Sequence, residues 1–540
     1  MQHIAVAIAG RSENTRKVTG LFVLTIAITM LLRSPAWAQD ASAYQGATGP
    51  QGASGTQTAS GSQGWRVTPS LSVGEHYSDN VSLAPAGSQR SEWTTRINPA
   101  VSLTGNSARL RLTANYSPEF LYRAQQGTTD ISHYLNVLGN AELFSRTLFL
   151  DVQAGITQQN VSLLGPQAES NINTTNNRTT TKTYSVSPYL RHEFGVDAIG
   201  ELRFTHDALN YGGNSGAVSS STSERIDAKL GSGPAYKLFV WNIALSKSHV
   251  EYSQSGQKID AQSYSLSGGR LITPDLRLNA SYGYEDSGYP STAGQDLAGS
   301  FWSVGPEWTP TERTRISASF GRRYYGPSRA LSISHRASLA FLGVDYSESV
   351  TNTRNNFTAA ISDTSSATAI CQAFFPDPAK RPPQCVTDIS RLLTVPVDFL
   401  TDSLFLEKRF QTNFGIQGLA NTVTASVFSS NRRSITTGTS GGVAGDFNSN
   451  LNVKQTGASV TWASRLTQAL ASNATLSVTR NTFDGQNRTD RLTAFRVGLT
   501  KEFNPKLSGA LTLGRVKSDS SAASTSYTEN SASATLGMKF

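Results

Sequence analysis

Every second residue of "RLRLTANY" is apolar. Leu110, Leu112, Ala114 and Tyr116 fall on one face, and Arg109, Arg111, Thr113 and Asn115 on the other. The same period of two runs through "LFLDVQAGIT" from Leu148 and "DLRLNASYGY" from Asp275, and "RTRISASFG" and "AFRVGLTKEF" repeat it. A strand sends successive side chains to opposite faces, so each stretch predicts a β-strand with one apolar face. After the N-terminus, no run reaches the roughly 20 apolar residues of a spanning helix. The alternation continues to the end of the sequence, where Phe540, Met538 and Leu536 interleave with Lys539, Gly537 and Thr535.

The connections carry a second pattern, because short and long ones alternate. "TGNSA", "FSRT", "GVDA", "TPDL", "TPTE", "HRAS" and "NPKL" are tight, whereas 161–181, 211–221, 287–298, 351–402 and 431–450 are long and polar. Short turns on one side and longer loops on the other characterise an outer-membrane barrel; a soluble sandwich has no reason to sort its loops this way. The expected fold is therefore all-β: a transmembrane antiparallel up-and-down β-barrel with short periplasmic turns and long extracellular loops. Strands of about 10 residues are expected. Counting from both ends gives about 22, or 18 to 20 if hairpins near 325–350 are miscounted.

Composition fits this picture. Only 38% of residues are hydrophobic and 16% charged, as suits strands that are half apolar. Residues 1–38 read as an export signal: Arg11, Arg16 and Lys17 precede the apolar run "GLFVLTIAITMLL", and "AWA" at 36–38 supplies a small-x-small cleavage site. Residues 39–64 are a Gly/Ser-rich periplasmic leader, too short to plug a wide lumen, and 65–540 form the barrel. The outer membrane is the expected location. Cys371 and Cys385 are the two cysteines of an exported chain, which predicts a disulfide between them. A net charge of +9 would suggest nucleic acid in a cytosolic protein. In an exported one it points to outer-membrane lipid, lipopolysaccharide phosphates or an anionic solute.

Three stretches, "HYSDNVSLAP" from His76, "WTPTERTRISASFGRRYYGPS" from Trp308 and "DYSESVTNTRNNF" from Asp345, resemble the outer-membrane protein family associated with PEP-CTERM/exosortase systems. That family falls among barrels encoded with exopolysaccharide machinery. The resemblance runs from about Gly64 to Phe540. It implies a component or conduit of exopolysaccharide export, with a periplasmic polysaccharide export protein and an anionic polysaccharide as partners. The other reading is a general or substrate-specific diffusion porin. A terminal Phe540, with Met538 and Leu536, matches the signal read by the outer-membrane barrel assembly machinery, although Gly537 is displaced from its usual place in that signal.

Little points to catalysis. There is no zinc motif, P-loop, dinucleotide fingerprint or nucleophile elbow, and the seven His are dispersed. The sequence gives no reason to expect an enzyme, a cofactor or a metal. With the apolar faces outward, Arg109, Arg111, Arg203, Arg277, Arg313 and Arg315 face the lumen close to short turns. They form a candidate basic row at the periplasmic mouth that could gather anions. Asp151, Glu201, Asp275 and Glu312 could equally neutralise it. Trp302 and Trp308 with Tyr324 and Tyr325 read more readily as an interfacial girdle than as a sugar-stacking platform.

Overall fold

The computed structural model describes residues 64–212, 218–289, 297–362, 399–436, 452–522 and 525–540. The export signal, the leader as far as residue 63, and Cys371 and Cys385 lie outside them. The chain forms 22 strands: β1 (Gly64–Ser78), β2 (Glu92–Asn106), β3 (Leu110–Arg123), β4 (Thr128–Phe144), β5 (Leu148–Asn160), β6 (Arg178–Phe194), β7 (Ala198–Tyr211), β8 (Ser221–Ser232), β9 (Phe239–Tyr252), β10 (Lys258–Thr273), β11 (Leu276–Asp286), β12 (Ala298–Thr311), β13 (Thr314–Arg323), β14 (Gly326–Arg336), β15 (Ala340–Thr351), β16 (Phe405–Gln417), β17 (Asn421–Ser434), β18 (Asn452–Arg465), β19 (Leu470–Phe483), β20 (Arg488–Asn504), β21 (Leu507–Ser520) and β22 (Tyr527–Lys539). Among the described residues one helix, α1 (Thr353–Ser362), lies between β15 and β16.

Each strand pairs antiparallel with its neighbours in sequence. β22 returns to β1 in the register Ser70↔Lys539 to Ser78↔Ser531, which closes the ring. Closure leaves no unpaired strand edge, as a bilayer requires. A circular ring of 22 strands tilted about 40° would be roughly 40 Å across. The Phe540 amide donates to the Pro69 carbonyl at 3.1 Å, so the terminal residue extends the seam.

The alternation seen in sequence sorts the two faces. On β2, Trp93, Ile97 and Val101 are exposed on the outside, while Arg96, Asn98 and Ser102 face in. Leu536, Met538 and Phe540 stand exposed on the exterior of the seam. Trp302 and Trp308 also face outward, about 20 Å apart along β12, one toward each rim. Tyr324 and Tyr325 do not join them. They turn the β13–β14 hairpin, edge to face at 5.3 Å, and the Tyr325 hydroxyl donates to the Glu348 carbonyl. A closed strand ring wrapped in apolar side chains has one compatible solvent. The protein resides in the bacterial outer membrane.

Two expectations shift in detail. Strands run from 10 residues in β13 to 17 in β4, β6 and β20, longer than a hydrocarbon layer needs. The loop side is also not uniformly long: 124–127, 253–257, 324–325 and 484–487 are tight. Several long strands continue past the membrane and pair to their ends, so little chain is left over for those loops.

Candidate functional site: a lumen narrowed at its mouth

Most of the inner wall is small and polar. Cross-strand hydroxyl pairs line it, including Ser281 with Ser303 at 2.7 Å, Ser426 with Ser459 at 2.8 Å and Thr461 with Thr475 at 3.1 Å. Facing hydroxyls satisfy one another and still offer lone pairs to water, so such a wall stays wet.

The loop end is different, because the buried apolar residues gather there. Residues 161–177, between β5 and β6, leave the wall and lie inside the mouth. Asn171 donates to Glu119 at 2.8 Å and to the Tyr134 hydroxyl at 2.6 Å. Arg123, paired with Asp130, also donates to the Asn171 and Ile172 carbonyls. Farther along the ring, Asn173 donates to Glu529 at 2.7 Å, Arg488 donates to the Leu164 carbonyl at 2.9 Å, and Arg496 pairs with Glu169. Leu163 belongs to a buried cluster with Phe399, Phe405, Val453 and Phe483. β5 and β16 are eleven strands apart in a ring of 22, so that cluster ties opposite walls together.

Two more segments brace this loop. Residues 79–91 turn through Leu83, a non-glycine at φ 53°. Asn80 holds that turn by donating to the Ala84 carbonyl and accepting from the Ala84 amide. Leu83 then packs with Ala168, Val516 and Tyr527. From the other side, Arg354 on α1 pairs with Asp207 and donates to Ser221 at 2.8 Å. The Leu400 amide donates to the Val161 carbonyl at 2.9 Å, and the Thr401 amide to the Thr353 hydroxyl. Asp402 accepts from the Ser219 amide at 2.8 Å; burial pushes its carboxyl up to about 6. A cavity of about 110 Å³ remains between the segments, lined by Leu83, Leu164, Gln167, Arg488, Asp490 and Tyr527.

These polar ties resist opening. Arg354 on α1, for instance, pairs with Asp207 of β7 and donates to Ser221 of β8 while all three are buried. Removing one partner of a buried ion pair typically costs about 3–5 kcal/mol, because the other charge is stranded. The mouth is therefore held by charge on charge rather than by loop covering alone.

At the short-turn end, Arg111, Arg203, Arg277 and Arg315 alternate with outward apolar residues on their strands, while Arg109 and Arg313 lie in the turns just before β3 and β13, so the six form arcs rather than one row. Arg109 and Arg111 belong to the β3 side, Arg203 to β7, and Arg277, Arg313 and Arg315 to β11–β13. Acids are interleaved with some of them. Arg203 pairs with Asp151 at 2.6 Å and Glu201 at 3.2 Å. It also lies over the Tyr189 ring at 3.9 Å, and that ring stacks on Phe149 at 5.0 Å. Arg315 pairs with Glu307, which stands opposite Arg277 in register. Among the described residues, Arg109, Arg111, Arg277 and Arg313 make no ion pair. Neutralisation is thus real at two of the six positions. Of the four acids named from the sequence, Asp151 and Glu201 take part, and Glu307 supplies the rest.

No known family's sequence profile matches this chain, and no curated protein is similar to it. Among solved structures, the siderophore receptor PirA from Pseudomonas aeruginosa is similar at 11% identity, covering 88% of this chain and 80% of that one, with a TM-score of 0.45. OpdK from Pseudomonas aeruginosa, solved with vanillate, is 10% identical over 88% and 99%, with a TM-score of 0.30. OccK8 (OprE) of the same organism is 9% identical over 88% and 98%, with a TM-score of 0.28. The architecture stands on the strand pairing itself.

The folded mouth was not anticipated from sequence. Its residues, Asn171, Arg354 and Asp402 among them, sit in stretches that read as solvent-facing loops. One signal was present: "SLLG" at 162–165 and "FL" at 399–400 place large apolar side chains inside otherwise polar connections.

Proposed function

We propose that the protein is a diffusion channel for small hydrophilic solutes, with residues 161–177 as its constriction. The observation that carries this is the inward loop, tied to β3, β4, β20 and β22 by side chains of both signs, above a hydroxyl-lined lumen. A wall of this kind keeps water in the pore, and a braced loop sets the size limit without closing off the whole cross-section. Exopolysaccharide export rests on the sequence resemblance alone. A polymer needs a wide continuous passage, and opposite walls are joined at the mouth.

The test is planar-bilayer conductance of the full chain against a variant in which residues 164–173 are replaced by a short glycine linker. The native channel should conduct in small steps. The shortened one should give steps several-fold larger and admit larger uncharged sugars in a swelling assay. A shortened variant that inserts, is heat-modifiable, and never conducts would sink the channel reading.

A further inference from the structure

The exterior of the barrel carries an uneven charge. On β17–β21, just toward the loop end from the apolar band, Arg433, Lys454, Arg480, Arg491, Arg515 and Lys517 all face outward and are exposed. Asp519, paired with Lys517 at 2.8 Å, is the one acidic side chain on the exterior of these strands among the described residues; Asp484 is exposed in the β19–β20 turn beyond them. On β6–β10 at the same end, the exterior charges balance instead: Lys258 pairs with Glu251 at 3.5 Å, and His249 bonds Asp260 at 2.8 Å.

Register makes the basic face one patch. Arg480 stands directly opposite Arg491, Thr456 opposite Arg480 places Lys454 on the diagonal, and Thr493 opposite Lys517 does the same for Arg491. Opposed residues in a ladder have Cβ atoms about 5 Å apart, and like charges there repel. Neither Arg480 nor Arg491 makes an ion pair among the described residues; Asp519 stands opposite Arg491 in register, but its carboxylate is paired with Lys517. Such a pair is favourable when an anion sits between the two guanidinium groups and accepts from both.

What lies beside it identifies the anion. Leu476 and Phe495, each four residues below an arginine of the pair, and Leu513, two below Arg515, are large apolar side chains exposed on the same face. The patch thus spans roughly 20 Å at the line where acyl chains meet headgroups. It rises on the loop side, which is the outer leaflet. We propose that the exterior of β17–β21 is a binding site for a phosphorylated lipid headgroup of the outer leaflet. Arg480 and Arg491 clamp one phosphate, Lys454, Arg515 and Lys517 flank it, and Leu476, Phe495 and Leu513 seat the acyl chains.

The experiment uses the full chain, purified in a mild detergent and titrated with bisphosphorylated lipid A while native mass spectrometry counts bound molecules. Variants are Arg480→Gln/Arg491→Gln and, as a control at the opposite rim, Lys501→Gln. Lipid A should bind the native protein and the control alike, and at least ten-fold more weakly to the double variant. Dephosphorylated lipid A should bind as weakly to the native protein as the intact lipid does to the variant, and inorganic phosphate at equal concentration should not displace the lipid. Equal binding to native protein and double variant overturns the clamp. Displacement by inorganic phosphate alone would show a plain anion site instead of a lipid site. Heat-modifiable mobility of the double variant confirms that it is folded, so weak binding cannot come from misassembly.

Discussion

At the scale of single residues, Asp402 links the mouth to pH. It is buried, it accepts the Ser219 amide, and its carboxyl titrates near 6 in the closed arrangement. When the segment swings into water, that value returns to the ordinary one near 4. A group whose value is raised in the closed state favours closure below its open-state value and loses that contribution as pH rises through the closed-state value. The mouth should therefore be tightest near pH 4 and loosen between about 4 and 6, by about 2–3 kcal/mol. Amide exchange at Ser219 and Thr401 should be slower at pH 4.5 than at 7.5 after correction for intrinsic rates, and Asp402→Asn should abolish the difference. The lower rim offers a second single-residue test. Replacing Arg109, Arg111, Arg277 and Arg313 by Gln should move the reversal potential toward cation selectivity. The shift should shrink from 0.1 M to 1 M salt, as the Debye length falls from about 10 to about 3 Å. An unmoved potential in a conducting channel would mean that acids at the rim, Glu307 foremost, already balance the four.

Strands and loops differ in how far the sequence betrays them. A strand between lipid and water has a different solvent on each face, so Leu110, Leu112 and Tyr116 against Arg111, Thr113 and Asn115 announce both the element and its orientation. Loop residues 161–177 obey no period, because each meets whichever wall residue the ring brings near: Asn171 finds Glu119, while Glu169 finds Arg496. Those partners come together only once all strands are placed, so the gate could not be read from spacing. The same reasoning applies to the basic row: alternation speaks only for its strand members Arg111, Arg203, Arg277 and Arg315, and Glu307 as partner to Arg315 required the register of β12 on β13. At the element scale the last strand makes its own prediction. Phe540 adds an exposed apolar side chain and one backbone bond to Pro69, and no packed core depends on it. Deleting it should leave the strand chemically able to pair yet cut the folded protein recovered from the outer membrane severely, read as loss of the heat-modifiable band. Normal recovery would mean that Met538 and Leu536 suffice for assembly.

At the scale of the whole molecule, the ring is taller than the membrane it crosses. A strand of 17 residues such as β4 is about 56 Å long and, tilted about 40°, climbs roughly 43 Å, against an apolar band of about 25 Å. The short turns mark the periplasmic side, so most of the excess stands outside the cell as a chimney. Of the residues that hold the inward loop, Glu119 lies nine residues up from Leu110, roughly 23 Å and near the top of the apolar band, and Arg123 thirteen up, roughly 33 Å and in the chimney. The constriction thus sits at the extracellular end of the lumen, and its one half-exposed tie among the described residues, Arg496 with Glu169, meets water rather than the bilayer. Its opening frequency should ignore acyl-chain length in reconstituted bilayers. Raising salt on the outer side alone should increase openings modestly, by screening Arg496 and Glu169 while the buried Arg354–Asp207 pair is little affected, whereas the same salt added only on the periplasmic side should leave their frequency where it was.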